Sequence, residues 1–127
     1  MQQPLLGAHV SVARSTGSGQ ASGYINGIER GLLLGAQCIQ IFGASPRSYA
    51  AALPLPDVVT AFRARLKASS IQSVYLHGAY VVNLGSTDPV ILKKSIANLK
   101  AHYQIANLLG ARGLIFHVGS PNGGNRA

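Results

Sequence analysis

The chain has 127 residues, with 11 Lys and Arg against 3 Asp and Glu, one cysteine and no tryptophan. This length fits one domain or part of one, and 47% hydrophobic residues is too many for a disordered polyelectrolyte. The single cysteine excludes a disulfide framework and favours a reducing compartment, so we expect a cytoplasmic protein. We expect neither a membrane span nor a signal peptide, because the apolar runs are short.

The net charge of +8 and a pI near 10.3 are typical of nucleic-acid-binding proteins. Many of the basic residues fall in predicted helices, however: Arg63, Arg65, Lys67, Lys93, Lys94 and Lys100. A solvated outer helix face is the favoured explanation of such a pattern, so the charge alone does not identify a partner.

The first elements in chain order are a short apolar run at 5–10, which predicts a buried strand, and a Ser- and Gly-rich stretch at 13–23. We expect the latter to be a mobile loop without the spacing of a phosphate-binding glycine loop. A helix is predicted over 24–34, where apolar residues recur every four positions. A second strand is predicted over 38–42.

The second predicted helix begins at Pro56 and Asp57, and a strand follows at 74–77. The third helix has Asp88 as its N-cap and Gly110 as its C-terminal stop. Its predicted apolar stripe comprises Leu92, Ile96, Leu99, Tyr103, Ala106 and Leu109. A fourth strand is predicted over 113–117.

Strands that alternate with helices predict an α/β fold with about four parallel strands and three outer helices. A Leu-Gly-Ala triplet precedes a strand twice, at 34–36 and at 109–111, which indicates a faint internal repeat. A doubly wound sheet and a (β/α)8 barrel both fit this pattern. A barrel needs about 250 residues, so this chain would supply roughly half of one.

Three histidines, His9, His77 and His117, each end a predicted strand. In parallel α/β folds these strand ends form the rim of the active site, and converging imidazoles suit zinc. The alternative is that each is a hydrogen-bonded core residue. His102 lies inside the third helix, and we expect it at the surface.

The three carboxylates, Glu29, Asp57 and Asp88, all fall in helices or at helix starts. No acid is therefore expected at the rim to complete a metal site or to act as a general base. Cys38 opens the second strand at the opposite end and is expected in the core.

Two loops at the predicted rim, 45–49 and 77–84, each combine an aromatic residue with a polar or cationic one. Arginine can hold phosphate, and Arg or Tyr planes can stack on bases or wedge between them. Ordinary anchoring of the loops is the alternative explanation.

Taken together, the motifs resemble the endonuclease IV family of apurinic/apyrimidinic endonucleases. The matching stretches, in the family's order, are Gly7-Ala8-His9-Val10-Ser11, Ile28-Glu29-Arg30, Leu34-Gly35-Ala36, Gln40-Ile41-Phe42, Pro46-Arg47, Leu76-His77 with Tyr80, Asn83-Leu84-Gly85 and Phe116-His117-Val118-Gly119-Ser120. A single such motif is weak, whereas the ordered set covers nearly the whole chain.

The resemblance implies a (β/α)8 barrel with three zinc ions that hydrolyses the phosphodiester 5′ to abasic sites in double-stranded DNA. It implies that His77 and His117 are ligands of one zinc, whose third ligand is a bridging glutamate from a later strand. Arg47 and Tyr80 would push into the DNA at the lesion, and His9 would line the site without binding metal. The full-length family member is expected to be a monomer.

The sequence departs from the family in several places. The loop at 12–26 is longer, Gly78 stands where the family often has Asp, Tyr49 where it often has Trp, and Val118 where it has Pro. These differences concern loop shape and DNA fit, and they leave the ligands in place.

We expect residues 1–127 to be a partial TIM-barrel domain, truncated after the fourth strand and inactive alone, with open strand edges that favour aggregation or self-pairing. The family's acidic ligands would lie downstream, so a complete protein should be less basic. Two other functions remain open. One is a sugar isomerase or epimerase of the related xylose-isomerase-like barrels, and the other is a non-catalytic basic binding module.

Overall fold

The computed structural model describes residues 4–13 and 23–121. Strands and helices alternate in the order β1 (Gly7–His9), α1 (Gly23–Leu33), β2 (Cys38–Phe42), α2 (Pro56–Lys67), β3 (Ser73–His77), α3 (Pro89–Leu109) and β4 (Gly113–Ile115). All four predicted strands and three predicted helices are therefore confirmed. The two outer strands are shorter than predicted, and His117 lies two residues beyond β4. Most of the predicted Ser- and Gly-rich loop, 14–22, and the tail from 122 onward lie outside the described residues.

The four strands form one parallel sheet in the order β1-β2-β3-β4. Neighbouring helices contact each other in sequence, α1 with α2 and α2 with α3. A doubly wound sheet reverses its strand order at a switch point, whereas a barrel adds each strand beside the previous one. The sequential order therefore matches the N-terminal part of a TIM barrel.

The core lies between the sheet and the helices. Alternate residues of the central strands, Ile39 and Ile41 in β2 and Val74 and Leu76 in β3, are buried among residues of the three helices. The intervening residues belong to the other face of the sheet, because successive side chains of a strand point in opposite directions. That second face carries Gln40, Phe42, Tyr75 and His77.

Two glycines allow α1 to lie close against β2. A Cβ atom at Gly27 would lie 2.9 Å from Ile41 Cγ2, and one at Gly31 would lie 2.5 Å from Ile39 Cγ2. A larger residue at either position would push the helix away from the sheet.

The faint internal repeat marks two similar helix ends. Gly35 and Gly110 follow α1 and α3 with φ of 69° and 73°, in the left-handed region that favours glycine. In each case the next N–H donates 2.9 Å to a carbonyl five residues back, Ala36 to Gly31 and Ala111 to Ala106. The Leu-Gly-Ala triplets thus end a helix and direct the chain into the next strand.

The caps of α3 are confirmed, but its predicted apolar stripe is wrong in part. Asp88 Oδ1 accepts a hydrogen bond from the Val90 N–H at 2.8 Å and so caps the helix. Ile96 and Tyr103 of the stripe are exposed, at 42% and 61%. The buried residues of the helix are Ser95, Asn98, His102, Ile105, Ala106 and Leu109.

The prediction that His102 lies at the surface is wrong. Its side chain is fully buried, and its Nδ1–H donates to the Asn98 carbonyl at 3.0 Å. The error arises because α3 turns a partly polar face inward, while apolar residues of the predicted stripe lie beside Leu114 and Phe116 at β4. Cys38 opens β2 as predicted, but the expectation that it lies in the core is wrong, because it is half-buried and outside the core cluster.

Within the described ranges, none of the helices has the length and hydropathy needed to cross a membrane.

Candidate functional site at the carboxyl ends of the strands

Three histidines lie together where the parallel strands end. His9 and His77 are the last residues of β1 and β3, and His117 follows β4. The ring centroids of His9 and His77 are 6.0 Å apart, and those of His77 and His117 are 5.2 Å apart. The parallel sheet thus brings together residues that are far apart in the sequence.

Phe42 lies at the centre of this group, and its part in the site was not predicted. It is the last residue of β2, and its ring centroid lies 4.8 Å from His9, 5.3 Å from His77 and 5.2 Å from Tyr80. Its position in the sequence could have indicated this role, because Phe42 ends a strand just as His9 and His77 do. An apolar ring here lowers the local polarity around the imidazoles.

The hydrogen bonds of two histidines define their tautomers. His77 Nδ1 lies 2.7 Å from the Gly78 carbonyl, which can only accept, so Nδ1 carries the proton and Nε2 has a lone pair. His9 Nδ1 lies 2.7 Å from Gln40 Nε2, which can only donate, so His9 accepts at Nδ1. His77 therefore presents a nitrogen lone pair to the site, whereas His9 presents an N–H at Nε2.

His9 is also held in its neutral form. Burial lowers the pKa of its imidazole, and the electrostatic interaction with the nearby His77 acts in the same direction. A neutral His9 with its Nε2–H available is suited to donate a hydrogen bond to an anionic group.

The acids lie away from the rim, in agreement with the sequence-based expectation. Glu29 forms a bidentate ion pair with Arg65 between α1 and α2. Arg65 Nε donates to Glu29 Oε1 at 2.6 Å, and Nη2 donates to Oε2 at 3.0 Å. Asp57 is in the first turn of α2, and Asp88 caps α3. Across residues 4–13 and 23–121, no group of three or more His, Cys, Asp or Glu is arranged to hold a metal ion.

Two loops border the histidine group, and hydrogen bonds join them. The Tyr80 N–H donates to the Pro46 carbonyl at 2.8 Å, and the Tyr49 hydroxyl donates to the Val81 carbonyl at 2.7 Å. Tyr80 is 58% exposed, and its ring centroid lies 5.5 Å from that of His77. Arg47 is exposed and directly follows Pro46, whose carbonyl accepts the hydrogen bond from the Tyr80 N–H.

Asn83 links the β3 loop to the chain that carries His117. Its Oδ1 accepts hydrogen bonds from the N–H groups of Gly85 and Ser120, both at 3.0 Å. Gly119 has φ of 93°, and a Cβ there would collide with the same oxygen. This link was not predicted from the sequence, although Asn83 and Gly119 both belong to the motifs quoted above.

Comparison with known proteins agrees with this geometry. Residues 30–127 match the family described as Xylose isomerase-like TIM barrel. The chain is 41% identical over 90 residues to a probable endonuclease 4 of Solibacter usitatus, covering 71% of this chain and 31% of that protein. It is 36% identical over 117 residues to endonuclease 4 of Thermus thermophilus, covering 92% and 41% respectively.

A solved structure shows the same arrangement of elements. The crystal structure of endonuclease IV from Thermus thermophilus matches with a TM-score of 0.81 and 35% identity, over 93% of this chain and 41% of that one. The chain thus spans about two fifths of the length of these two Thermus proteins. It belongs to the xylose isomerase-like TIM barrel family, and its similarity to endonuclease IV extends over most of its length.

Proposed function

We propose that the chain is the N-terminal part of a cytoplasmic, monomeric DNA repair enzyme that hydrolyses the phosphodiester 5′ to abasic sites in double-stranded DNA. In this proposal residues 1–127 form a partial TIM-barrel domain. The observation that carries it is the grouping of His77, His117 and Tyr80 at the carboxyl ends of the strands, with the Arg47 loop bonded to the Tyr80 backbone. The named relatives, which are endonucleases, support the same function.

His77 and His117 are the residues that would hold zinc. The fit of His77 is good, because a metal-binding histidine usually donates its other ring N–H to a carbonyl, as His77 does to Gly78. Bound zinc lowers the pKa of a coordinated water toward neutrality and stabilises negative charge on a phosphate. Two imidazoles are fewer than the three or four protein ligands of an ordinary zinc site, so further ligands must come from outside these residues.

Arg47 and Tyr80 are the proposed DNA-binding residues. An exposed arginine can pair with a phosphate through two parallel hydrogen bonds, and an exposed tyrosine ring can occupy the gap left by a missing base. An abasic nucleotide has no base to unstack, so displacing it from the helix costs little. The neutral His9 would line the site and donate to the phosphate.

We expect that this chain alone does not cut DNA. Its three carboxylates all lie on the helical side, so none of them can bridge metal ions at the rim or serve there as a general base. It keeps the residues proposed to meet the lesion but only part of those proposed to bind metal.

The binding part of the proposal is tested by charge removal at two positions. Arg47→Ala should weaken binding to a duplex with one abasic site about tenfold, the effect of losing one charged phosphate contact. Arg112→Ala is the matched control, because Arg112 is exposed just before β4, at the opposite end of the strands. It should change the affinity less than about twofold, as expected for a distant screened charge.

The affinities are measured by fluorescence anisotropy at fixed salt. Equal losses in the two variants would mean that the chain binds DNA only through its net charge, and the proposed site would be wrong. Tyr80→Ala should reduce the preference for abasic over intact duplex, since the ring is proposed to fill the gap left by the base.

A further inference from the structure

Helix α3 carries a row of polar residues on its buried face. Ser95, Asn98 and His102 follow one another at spacings of three and four residues, which places them on one side of the helix. Their relative exposures are 0%, 1% and 0%. Burying polar groups is costly unless they are hydrogen-bonded, so each of these residues needs hydrogen-bond partners.

The partners of Asn98 come from the loop that contains Arg47. Its Nδ2 group donates to the carbonyl of Ser48 at 3.3 Å and to that of Tyr49 at 2.9 Å. A side-chain amide nitrogen has two N–H donors, and both are used here. Asn98 therefore holds the two residues that directly follow Arg47.

The residue before Arg47 is held from the other side. The Pro46 carbonyl accepts from the Tyr80 N–H at 2.8 Å. The same two loops are joined again through the Tyr49 hydroxyl and the Val81 carbonyl. One turn earlier on α3, Ser95 Oγ accepts from the Asn83 N–H at 2.9 Å and so anchors the β3 loop.

We propose that Asn98 is a positioning residue for DNA binding, which fixes the 45–49 loop so that Arg47 and Tyr80 meet the same lesion. The role of Arg47 in this statement rests on the proposed function, whereas the anchoring of the loop does not. A loop that is already ordered loses less conformational entropy when it binds, so the anchor increases affinity without touching DNA.

Limited trypsin digestion of the chain tests the anchor directly, since trypsin cleaves after Arg47 only when this loop opens. In Asn98→Ala the rate of cleavage after Arg47, relative to cleavage after Arg65 in α2, should rise roughly tenfold, as expected from losing one or two hydrogen bonds. Asn107→Ala, at an exposed position of the same helix, is the matched control and should leave the ratio unchanged. An unchanged ratio in Asn98→Ala overturns the inference.

A second variant covers the case in which Asn98→Ala does not fold. Tyr49→Phe removes only the hydroxyl that bonds the Val81 carbonyl and keeps the ring. It should also raise the ratio, by a smaller factor, because it loosens the same loop. No increase in this variant would contradict the anchored loop.

Binding to an abasic duplex separates the positioning role from the proposed function. Asn98→Ala should weaken binding, and adding it to Arg47→Ala should cause little further loss, because both act through one contact. A loss in Arg47→Ala without a loss in Asn98→Ala overturns the positioning role alone. No loss in either variant overturns the proposed function and the role of Asn98 with it.

Discussion

The role of a single polar residue could be predicted from the sequence only when its neighbours in space follow from the order of strands and helices. His9, His77 and His117 could be placed together because each follows a short apolar run, and parallel strands end on the same side. Asn98 could not be assigned in this way, since its partners lie about 50 residues away in a loop without regular structure. A helical pattern shows which residues share a face, but it does not reveal that a loop will bond to them.

His102 leads to a prediction about pH. Burial lowers the pKa of its imidazole, the hydrogen bond to the Asn98 carbonyl raises it, and charge on His77 lowers it again, with a net lowering. A folded-state pKa below the unfolded value of about 6.5 means that the unfolded state binds the proton more readily. This stabilising contribution is therefore complete above about pH 6.5 and is lost as the pH falls through the folded-state pKa.

The melting temperature of the metal-free chain should fall between pH 8 and pH 5, and the fall should be smaller in His102→Gln. A glutamine cannot be protonated in this range, so the variant removes the linkage at this position. A residual slope is expected from His9, whose pKa is also lowered. If the variant keeps the full pH dependence of the parent chain, His102 does not contribute to it.

At the scale of elements, the order and type of every strand and helix could be predicted, because apolar runs and capping residues are local signals. The residues that α3 buries could be predicted only in part: Ala106 and Leu109 are buried as expected, but polar residues share the buried face with them. The ends of β1 and β4 also differ from the prediction. Within the part of the chain that the structure describes, each of these strands pairs with a single neighbour, so fewer residues are held in strand conformation.

Because α1 packs closely on β2, we expect replacement of a glycine of α1 by alanine to destabilise the folded chain. Alanine inside a helix normally gains about 1 kcal/mol over glycine. At position 31 the added Cβ would lie 2.5 Å from Ile39 Cγ2, and such overpacking costs about 1–3 kcal/mol. Gly31→Ala should therefore lower the melting temperature.

The control for this prediction is the same substitution made in a second variant protein, Ile39→Ala. In Ile39→Ala the clashing methyl group is absent, so Gly31→Ala should there be neutral or stabilising. A stabilising effect of Gly31→Ala in the parent chain would show that α1 does not lie so close to the sheet.

At the scale of the whole molecule, some of the basic residues that make up the net charge form contacts between helices. Arg65 pairs with Glu29, and Arg63 donates to the carbonyls of Leu108 and Asn107 at the C-terminus of α3. The value of +8 therefore does not locate a DNA-binding surface. The proposed surface depends instead on Tyr80, which lies beside His77 and His117, and on the Arg47 loop bonded to the Tyr80 backbone.

The open sheet predicts self-association of the chain in solution. Large apolar side chains are exposed beside both outer strands, among them Leu33, which ends α1 near His9 of β1 and is 86% exposed, and Phe116, which follows β4 and is 37% exposed. Unpaired strand edges with apolar neighbours favour association with other chains. The sedimentation coefficient should increase with concentration, and Leu33→Lys should reduce this increase.

Leu55→Lys serves as the control for self-association, because Leu55 is 66% exposed but precedes α2, away from both edges. It should leave the concentration dependence unchanged. A single monomeric species at all concentrations would contradict the prediction.

One gel assay tests the central claim most directly, that this chain carries the lesion-binding residues but an incomplete metal centre. The chain is incubated with zinc and a labelled duplex that contains one abasic site, and complex formation and strand cleavage are scored against an intact duplex. We predict that the abasic duplex is retained at a lower protein concentration than the intact duplex, and that neither is cut. Zinc-dependent cleavage 5′ to the lesion, or equal retention of the two duplexes, would contradict the account.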